Sequence, residues 1–364
     1  MRVAQIAPLY EPVPPALYGG TERVIAALCE GLVQMGHDVT LFAAGGSATP
    51  ARLHAVGQPL RERMSRHELT EVAPHLHLRL LADVYQRAEE FDIIHSHVDV
   101  WTLPFAKRST TPSVLTLHGR LDTTYVQATF PLYPDVPLVS VSDSQRDPLR
   151  HKKVRWAGTV HNGLDLRGYA DQERTSGKHL AFVGRISPEK GPTLAVEVAR
   201  RTDRPLHIAA KVDPMDVDYF EREVEPLLGE EVMFFGELEE AQKPGFFSGA
   251  AATLFPSDWP EPFGLVMIES LAAGTPVIAL RRGAVPEVLE DGVTGFICDD
   301  LDEMVDAVQR LDEIDPRDCR AGARRFGSDV MCEGYDAVYR SVLHDTAPAQ
   351  ARTGLTSGSV RAGG

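Results

Sequence analysis

The chain reads as an α/β protein of two halves, each a parallel sheet wrapped by helices. Three observations predict it. Short apolar runs alternate with helix-periodic segments along almost the whole chain; one polar, glycine-bearing stretch interrupts the alternation; and 364 residues exceed the usual size of a single hydrophobic core.

In the first half the apolar runs 3–7, 39–43, 91–95, 113–117 and 137–141 predict strands, with helical patterns between several of them. The first helix follows from Thr21 as N-cap, from Val24, Ile25, Leu28, Leu32 and Met35 on one face, and from Gly36 at the stop. A second set of strands is expected at 179–184, 206–210, 232–235, 251–255 and 276–280. Between the sets, 161–177 has the polar, glycine-bearing composition of a linker. These signals place one domain at 1–165 and a second at 176–327, with a further helix at about 328–345 marked by Tyr335, Val338 and Val342. The Ala/Gly/Ser-rich segment 346–364 reads as a disordered tail.

Composition excludes several classes. Net charge is −15 and unevenly divided: through Asp165, 16 Lys and Arg face 17 Asp and Glu, against 21 and 35 after it. Such an acidic chain is no nucleic-acid binder, since phosphate backbones demand excess cations. The cluster Arg150-His-Lys-Lys-Val-Arg155 is one basic exception, read as a solvated turn, with at most weak peripheral contact with an anionic membrane. Cys29, Cys298, Cys319 and Cys332 are widely spaced and form neither a disulfide framework nor a metal pattern. His95 and His97 share a strand face, but no carboxylate or cysteine cluster accompanies them, so no metal site is expected. Without a signal segment or a membrane-length apolar run, the expected location is cytoplasmic.

The most informative stretch runs from Glu261-Pro-Phe-Gly through Glu269 to Gly-Thr-Pro-Val-Ile, two carboxylates eight positions apart across a loop that turns into a helix. Pro262 and Gly264 shape a loop that a ligand can approach closely, and the free N–H groups at the helix start attract anions. Upstream, 182–191 places Arg185 and Lys190 on a loop leaving a strand, where open α/β sheets bind ligands. After the first strand, a long loop closes on Gly19-Gly20-Thr21-Glu22; it is not G-x-G-x-x-G, which argues against a dinucleotide-linked dehydrogenase. His118-Gly119 follows another strand end.

Together with Ser257-Asp-Trp-Pro, Gly283-Ala-Val-Pro-Glu-Val and Gly292-Val-Thr-Gly, this stretch resembles the Glu-x7-Glu signature of retaining glycosyltransferase family 4, enzymes of the GT-B fold. The resemblance covers residues 3 to 345 and implies two Rossmann-like domains facing across a cleft, with the terminal helix crossing back onto the first. It implies metal-independent transfer of a sugar from a nucleotide-diphosphate sugar to an acceptor hydroxyl, with retention, and no cofactor besides a UDP-, GDP- or ADP-sugar co-substrate. A small molecule, a lipid-linked sugar or an oligosaccharide would serve as acceptor.

By the same resemblance Gly19 and Gly20 face the donor diphosphate, Arg185 and Lys190 hold it, and His118 positions the donor sugar. Glu261 and the amides around Phe263, Gly264 and Leu265 meet that sugar, while Glu269 accepts from the ribose hydroxyls. The loops at 211–213 and 236–238 are the expected surroundings of the base. Front-face attack and covalent double displacement both remain open. The alternatives are a catalytically silent nucleotide-sugar-binding protein and a glycoside hydrolase built on the two glutamates.

Overall fold

In the computed structural model, which describes residues 1–61, 64–170, 175 and 177–346, the predicted alternation closes into two sheets whose strands all pair in parallel. The first comprises β1 (Arg2–Ile6), β2 (Asp38–Ala43), β3 (Arg52–Ala55), β4 (Ile93–Ser96), β5 (Ser113–Leu117), β6 (Pro137–Ser140) and β7 (Arg155–Thr159), in spatial order β3-β2-β1-β4-β5-β6-β7. The second comprises β8 (Leu180–Arg185), β9 (Leu206–Lys211), β10 (Val232–Phe234), β11 (Ala252–Phe255), β12 (Val277–Leu280) and β13 (Gly295–Cys298), in order β10-β9-β8-β11-β12-β13. Central strands are covered on both faces, which is why they read as unbroken apolar runs: every residue of β5 and of β11 is buried.

Three strands lie outside the predicted sets. Arg52-Leu-His-Ala of β3 is a largely exposed edge with no core face to pattern, and β7 is only half-buried along its length. The short β13 is buried, but it follows directly on a glycine-marked turn.

Four helices frame the space between the sheets or tie the halves together: α1 (Gly20–Gln34), α2 (Pro192–Arg201), α3 (Leu265–Ala272) and α4 (Ser328–Thr346). Val24, Ile25, Leu28 and Leu32 of α1 are fully buried, as their spacing predicts. Two expectations for this helix are corrected. Its N-cap is Gly19 rather than Thr21, because the Gly19 carbonyl already accepts the Arg23 N–H at 3.1 Å; and Met35, at the C-cap, is 42% exposed, having turned off the apolar stripe. Gly36 beyond it takes the left-handed conformation of a helix stop (φ 85°). α4 crosses back to pack on α1 and β7, so closely that a side chain at Gly31 would collide with Cys332.

All four cysteines are buried and unbridged. The Arg150–Lys153 stretch forms an exposed turn, as read from its composition. Among the described residues no helix is long and apolar enough to cross a membrane. The tail expected over 346–364 falls, apart from Thr346 at the end of α4, outside the described residues.

In each sheet the strand order reverses direction once, between β1 and β4 and between β8 and β11. Loops leaving adjacent strands there depart to opposite faces and open a crevice at the carboxyl ends.

Candidate active site

A cleft of about 650 Å³ lies where the two crevices face each other. It is lined from the first sheet by the loops after β1, β4 and β5 and from the second by those after β8, β9 and β11. Gly19, Gly20, His118, Arg185, Lys190, Glu261, Phe263, Gly264, Leu265 and Glu269 all line it. Residues 245 positions apart in the chain are brought together: a Cβ on Gly20 would sit 3.3 Å from Leu265 of the opposite wall.

Lys190 ends a short helical turn before α2 and forms an ion pair with Glu261, both side chains being more than four-fifths shielded. The indole N–H of Trp259 donates to the same Glu261 oxygen at 2.9 Å, and the Lys190 ammonium sits 5.1 Å from the Trp259 ring centroid. The lysine is thus held by a carboxylate and an aromatic face. Gly283 explains why the motif extends past the second glutamate: it is left-handed (φ 51°), and a Cβ there would lie 2.3 Å from the Glu261 carbonyl oxygen. Only glycine lets this loop press against the Glu261 backbone, where Ala284 N–H donates to that carbonyl at 2.9 Å. Arg185, at the end of β8, pairs with Glu189 and approaches Asp216 at 3.5 Å. Gly264, left-handed at φ 89°, caps α3, and the amides of Phe263, Gly264 and Leu265 donate to no partner among the described residues.

Glu269 lies one turn into α3 with its side chain 2% exposed. Its Oε1 accepts from Arg23 Nη1 at 2.7 Å, from the Tyr169 hydroxyl at 2.7 Å and lies 3.4 Å from Lys243 Nζ. Burial alone would raise this carboxyl's pKa, but Arg23, then Lys243 and the Tyr169 hydrogen bond carry it below the ordinary value. Arg23 comes from α1 and also binds Glu240 at 2.6 Å, so an ion-pair cluster spans the cleft. A second tie is Glu287, which accepts from the backbone N–H groups of Asp143 (2.8 Å) and Ser144 (2.7 Å) and meets His161 at 3.2 Å.

His118 turns its Nε2 to His97 Nδ1 at 2.8 Å, and His97 Nε2 continues to Gln5 Oε1 at 3.0 Å. Burial pushes the His118 pKa down to about 4 and those of His95 and His97 well below the usual value, so all three rings are neutral at pH 7. His95 and His97 therefore serve in hydrogen bonds, and among the described residues no group of three or more His, Cys, Asp or Glu side chains is arranged to hold a metal ion. Of the two loops expected around a base, Lys211, Glu237 and Leu238 reach the cleft; Lys211 meets Glu11 of the first half at 3.5 Å.

Sequence reasoning missed Arg23, Tyr169, Lys243 and Asp99. Asp99 lines the cleft in a left-handed backbone (φ 46°) that non-glycine residues seldom adopt, with Oδ1 buried and meeting no hydrogen-bond partner among the described residues. Its position two residues beyond His97 on a strand-end loop was the available signal.

Comparison with known proteins agrees with this architecture. The family model described as Glycosyltransferase Family 4 matches residues 18–167, and that described as Glycosyl transferases group 1 matches 170–325. The D-inositol 3-phosphate glycosyltransferase of Kribbella flavida is 26% identical over 90% of this chain and 92% of its own. Among solved structures, AviGT4, a glycosyltransferase involved in avilamycin A biosynthesis, superimposes with a TM-score of 0.67 at 25% identity, covering 94% of this chain and 98% of that one. HepE of Anabaena, in complex with UDP and glucose, shares the fold with a TM-score of 0.73 at 17% identity, covering 93% and 99%. With both halves matched by the two models and the facing parallel sheets in place, the chain belongs to the family 4 glycosyltransferases and is a glycosyltransferase of the GT-B fold.

Proposed function

We propose that the enzyme moves a sugar, with retention and without a metal ion, from a nucleoside-diphosphate sugar to an acceptor hydroxyl. The observation that carries this reading is the pair of cations at the strand ends, Arg185 and Lys190, each facing the cleft and each balanced by a carboxylate in the protein itself. A diphosphate entering between them competes with Glu189 and Glu261 for the same charges. The amides at the start of α3, which donate to no partner among the described residues, add donors on the same side. Charge that grows on the departing diphosphate is thereby stabilised more than the bound donor, which lowers the barrier.

In the transfer the bond from the anomeric carbon to the diphosphate oxygen breaks and a bond to the acceptor oxygen forms on the same face. The acceptor's proton passes to the departing diphosphate. Asp99 lines the first-half wall, where a small turn of its buried Oδ1, which meets no hydrogen-bond partner among the described residues, would let it accept a hydrogen bond from the acceptor hydroxyl. The ordered Glu269 cluster is suited to meet ribose hydroxyls at its edge. Names of related proteins support the donor class: HepE is described with UDP and glucose. A hydrolase working through two carboxyl groups needs one held protonated, and Glu269 is driven the other way by Arg23 and Lys243.

Thermal unfolding with UDP, GDP and ADP tests the proposal, since a ligand selective for the folded state raises its apparent stability. One nucleotide should raise the midpoint, and the sugar carried by that nucleotide should be transferred with its anomeric configuration kept, read by proton NMR of the product. No shift with any of the three overturns the reading; a shift without transfer to any acceptor favours a silent binding protein.

A further inference from the structure

His118 is the outermost member of a buried chain of hydrogen bonds that runs away from the cleft, through the first sheet and into the crossover helix α4. From His97 the chain passes to Gln5 on β1, whose Nε2 donates to the Tyr339 hydroxyl at 2.9 Å. Tyr339 meets His95 Nδ1 at 2.7 Å, His95 Nε2 meets Thr116 Oγ1 at 2.7 Å, and Thr116 meets the Tyr335 hydroxyl at 3.0 Å. Gln5, His95, Thr116, Tyr335 and Tyr339 are all 0% exposed. Tyr335 and Tyr339 lie one turn apart on α4 and so share the face that covers the sheet.

Because the three imidazoles are neutral, each has one N–H and one bare nitrogen, and each link of the chain holds one proton. Orienting one member therefore orients the rest. The Gln5 amide points its NH2 at Tyr339 and its oxygen at His97, so Tyr339 donates to His95 Nδ1 while His97 donates from Nε2 to Gln5 Oε1. His97 Nδ1 is then bare and must accept, which leaves the proton of His118 on Nε2. His118 Nδ1, with no partner among the described residues, is a lone pair at the cleft.

We propose that Tyr339 is a positioning residue for the transfer reaction: through Gln5 and His97 it fixes His118 as the Nε2–H tautomer, so that Nδ1 accepts a hydrogen bond from a hydroxyl of the donor sugar. The proposal rests on the reading of the cleft as a nucleotide-sugar site only for the identity of that hydroxyl; the tautomer itself is a property of the chain alone. It assigns a chemical requirement to the ligand: the sugar must offer an O–H donor at this point, and a deoxy or O-methyl sugar at that position loses the contact.

Nitrogen-15 NMR of the imidazole rings in the labelled full chain tests it, with the His118 signals identified by their loss in His118→Asn. The wild type should show one His118 tautomer, protonated at Nε2. In Tyr339→Phe, which keeps the ring and removes the hydroxyl, both tautomers should be populated, and KM for the donor should rise about 3- to 10-fold, the worth of one hydrogen bond, with kcat changed by less than about 2-fold. Gln5→Leu should give the same signature and serves if the first variant fails to fold. A wild-type His118 protonated at Nδ1, or a single unchanged tautomer in either folded variant, overturns the proposal. If the wild type binds no nucleotide sugar while the tautomer is as stated, the functional reading fails and the relay stands.

Discussion

On the second-sheet wall of the cleft the polar groups are charged and paired, Lys190 with Glu261, Arg185 with Glu189, and Glu269 with Lys243 and the intruding Arg23. On the first-sheet wall, beside the acids Asp99 and Glu22 and the Arg61–Glu11 pair, a set of neutral groups is threaded together, from His118 through His97 and Gln5 to Tyr339. The difference teaches how the two walls meet a ligand. An ion pair exchanges partners when an anion arrives, because its charges persist once separated. A neutral hydrogen-bonded chain gains nothing from exchange and instead holds one atom in a fixed state. On the proposed reading, one wall offers exchangeable charge and the other a fixed hydrogen-bond acceptor.

The largest effect that would sharpen the contrast is expected for Glu269→Ala. It leaves Arg23 and Lys243 without their shared buried carboxylate, so the folded state should lose about 3–5 kcal/mol in urea denaturation, together with nucleotide affinity. A loss below about 1 kcal/mol would show that this corner is not an ion-pair cluster in solution. Next is Lys190→Ala, in which turnover should fall about 10²- to 10³-fold with the fold intact; undiminished kcat would remove the charged wall from the chemistry.

The smallest concerns Glu22, an acid that, like Asp99, stands outside the neutral network. It lies on the first-sheet wall, while the nearby cations Arg61 and Lys211 pair with Glu11, each at 3.5 Å. Burial raises its pKa from 4.5 to about 7, only partly offset by its backbone hydrogen bond and by Arg61. The unfolded chain releases this proton from about pH 4.5 and the folded chain holds it to about pH 7, so folding stability falls as pH rises through that window and levels off above it. Glu22→Gln should flatten the fall, worth about 1–3 kcal/mol between pH 5 and pH 8 in urea denaturation. An unchanged slope would mean that Glu22 is ionised and adds its charge to this wall.

The sequence carried the charged wall more openly than the neutral one. Arg185, Lys190, Glu261 and Glu269 stand in local motifs, on loops and a helix start whose chemistry can be read from neighbouring residues. Arg23 could not be found this way, since its partner Glu269 is remote in sequence and its own setting is that of an ordinary helix position next to Glu22. The neutral wall was legible only at His118. His95 and Thr116 read as strand residues and Tyr335 as part of the apolar stripe of a helix, Tyr339 is not singled out at all, and their hydroxyls and ring nitrogens meet only when β1, β4, β5 and α4 assemble. At the level of the fold, central strands betrayed themselves by burial on both faces, whereas β3 and β7 did not, because an exposed or half-buried strand has no apolar run to show.

The link from Gln5 to Tyr339 joins positions 334 residues apart. During synthesis the chain must leave the ribosome as far as Tyr339 before the polar groups inside the first sheet find their last partners. Until then Gln5, His95 and Thr116 face a region that should be dry with nothing to bond, which keeps the early half from settling into its final packing. The hydrogen bonds that reach from Gln5 toward His118 are therefore complete only once Tyr339 has been made and α4 has folded back onto the first sheet.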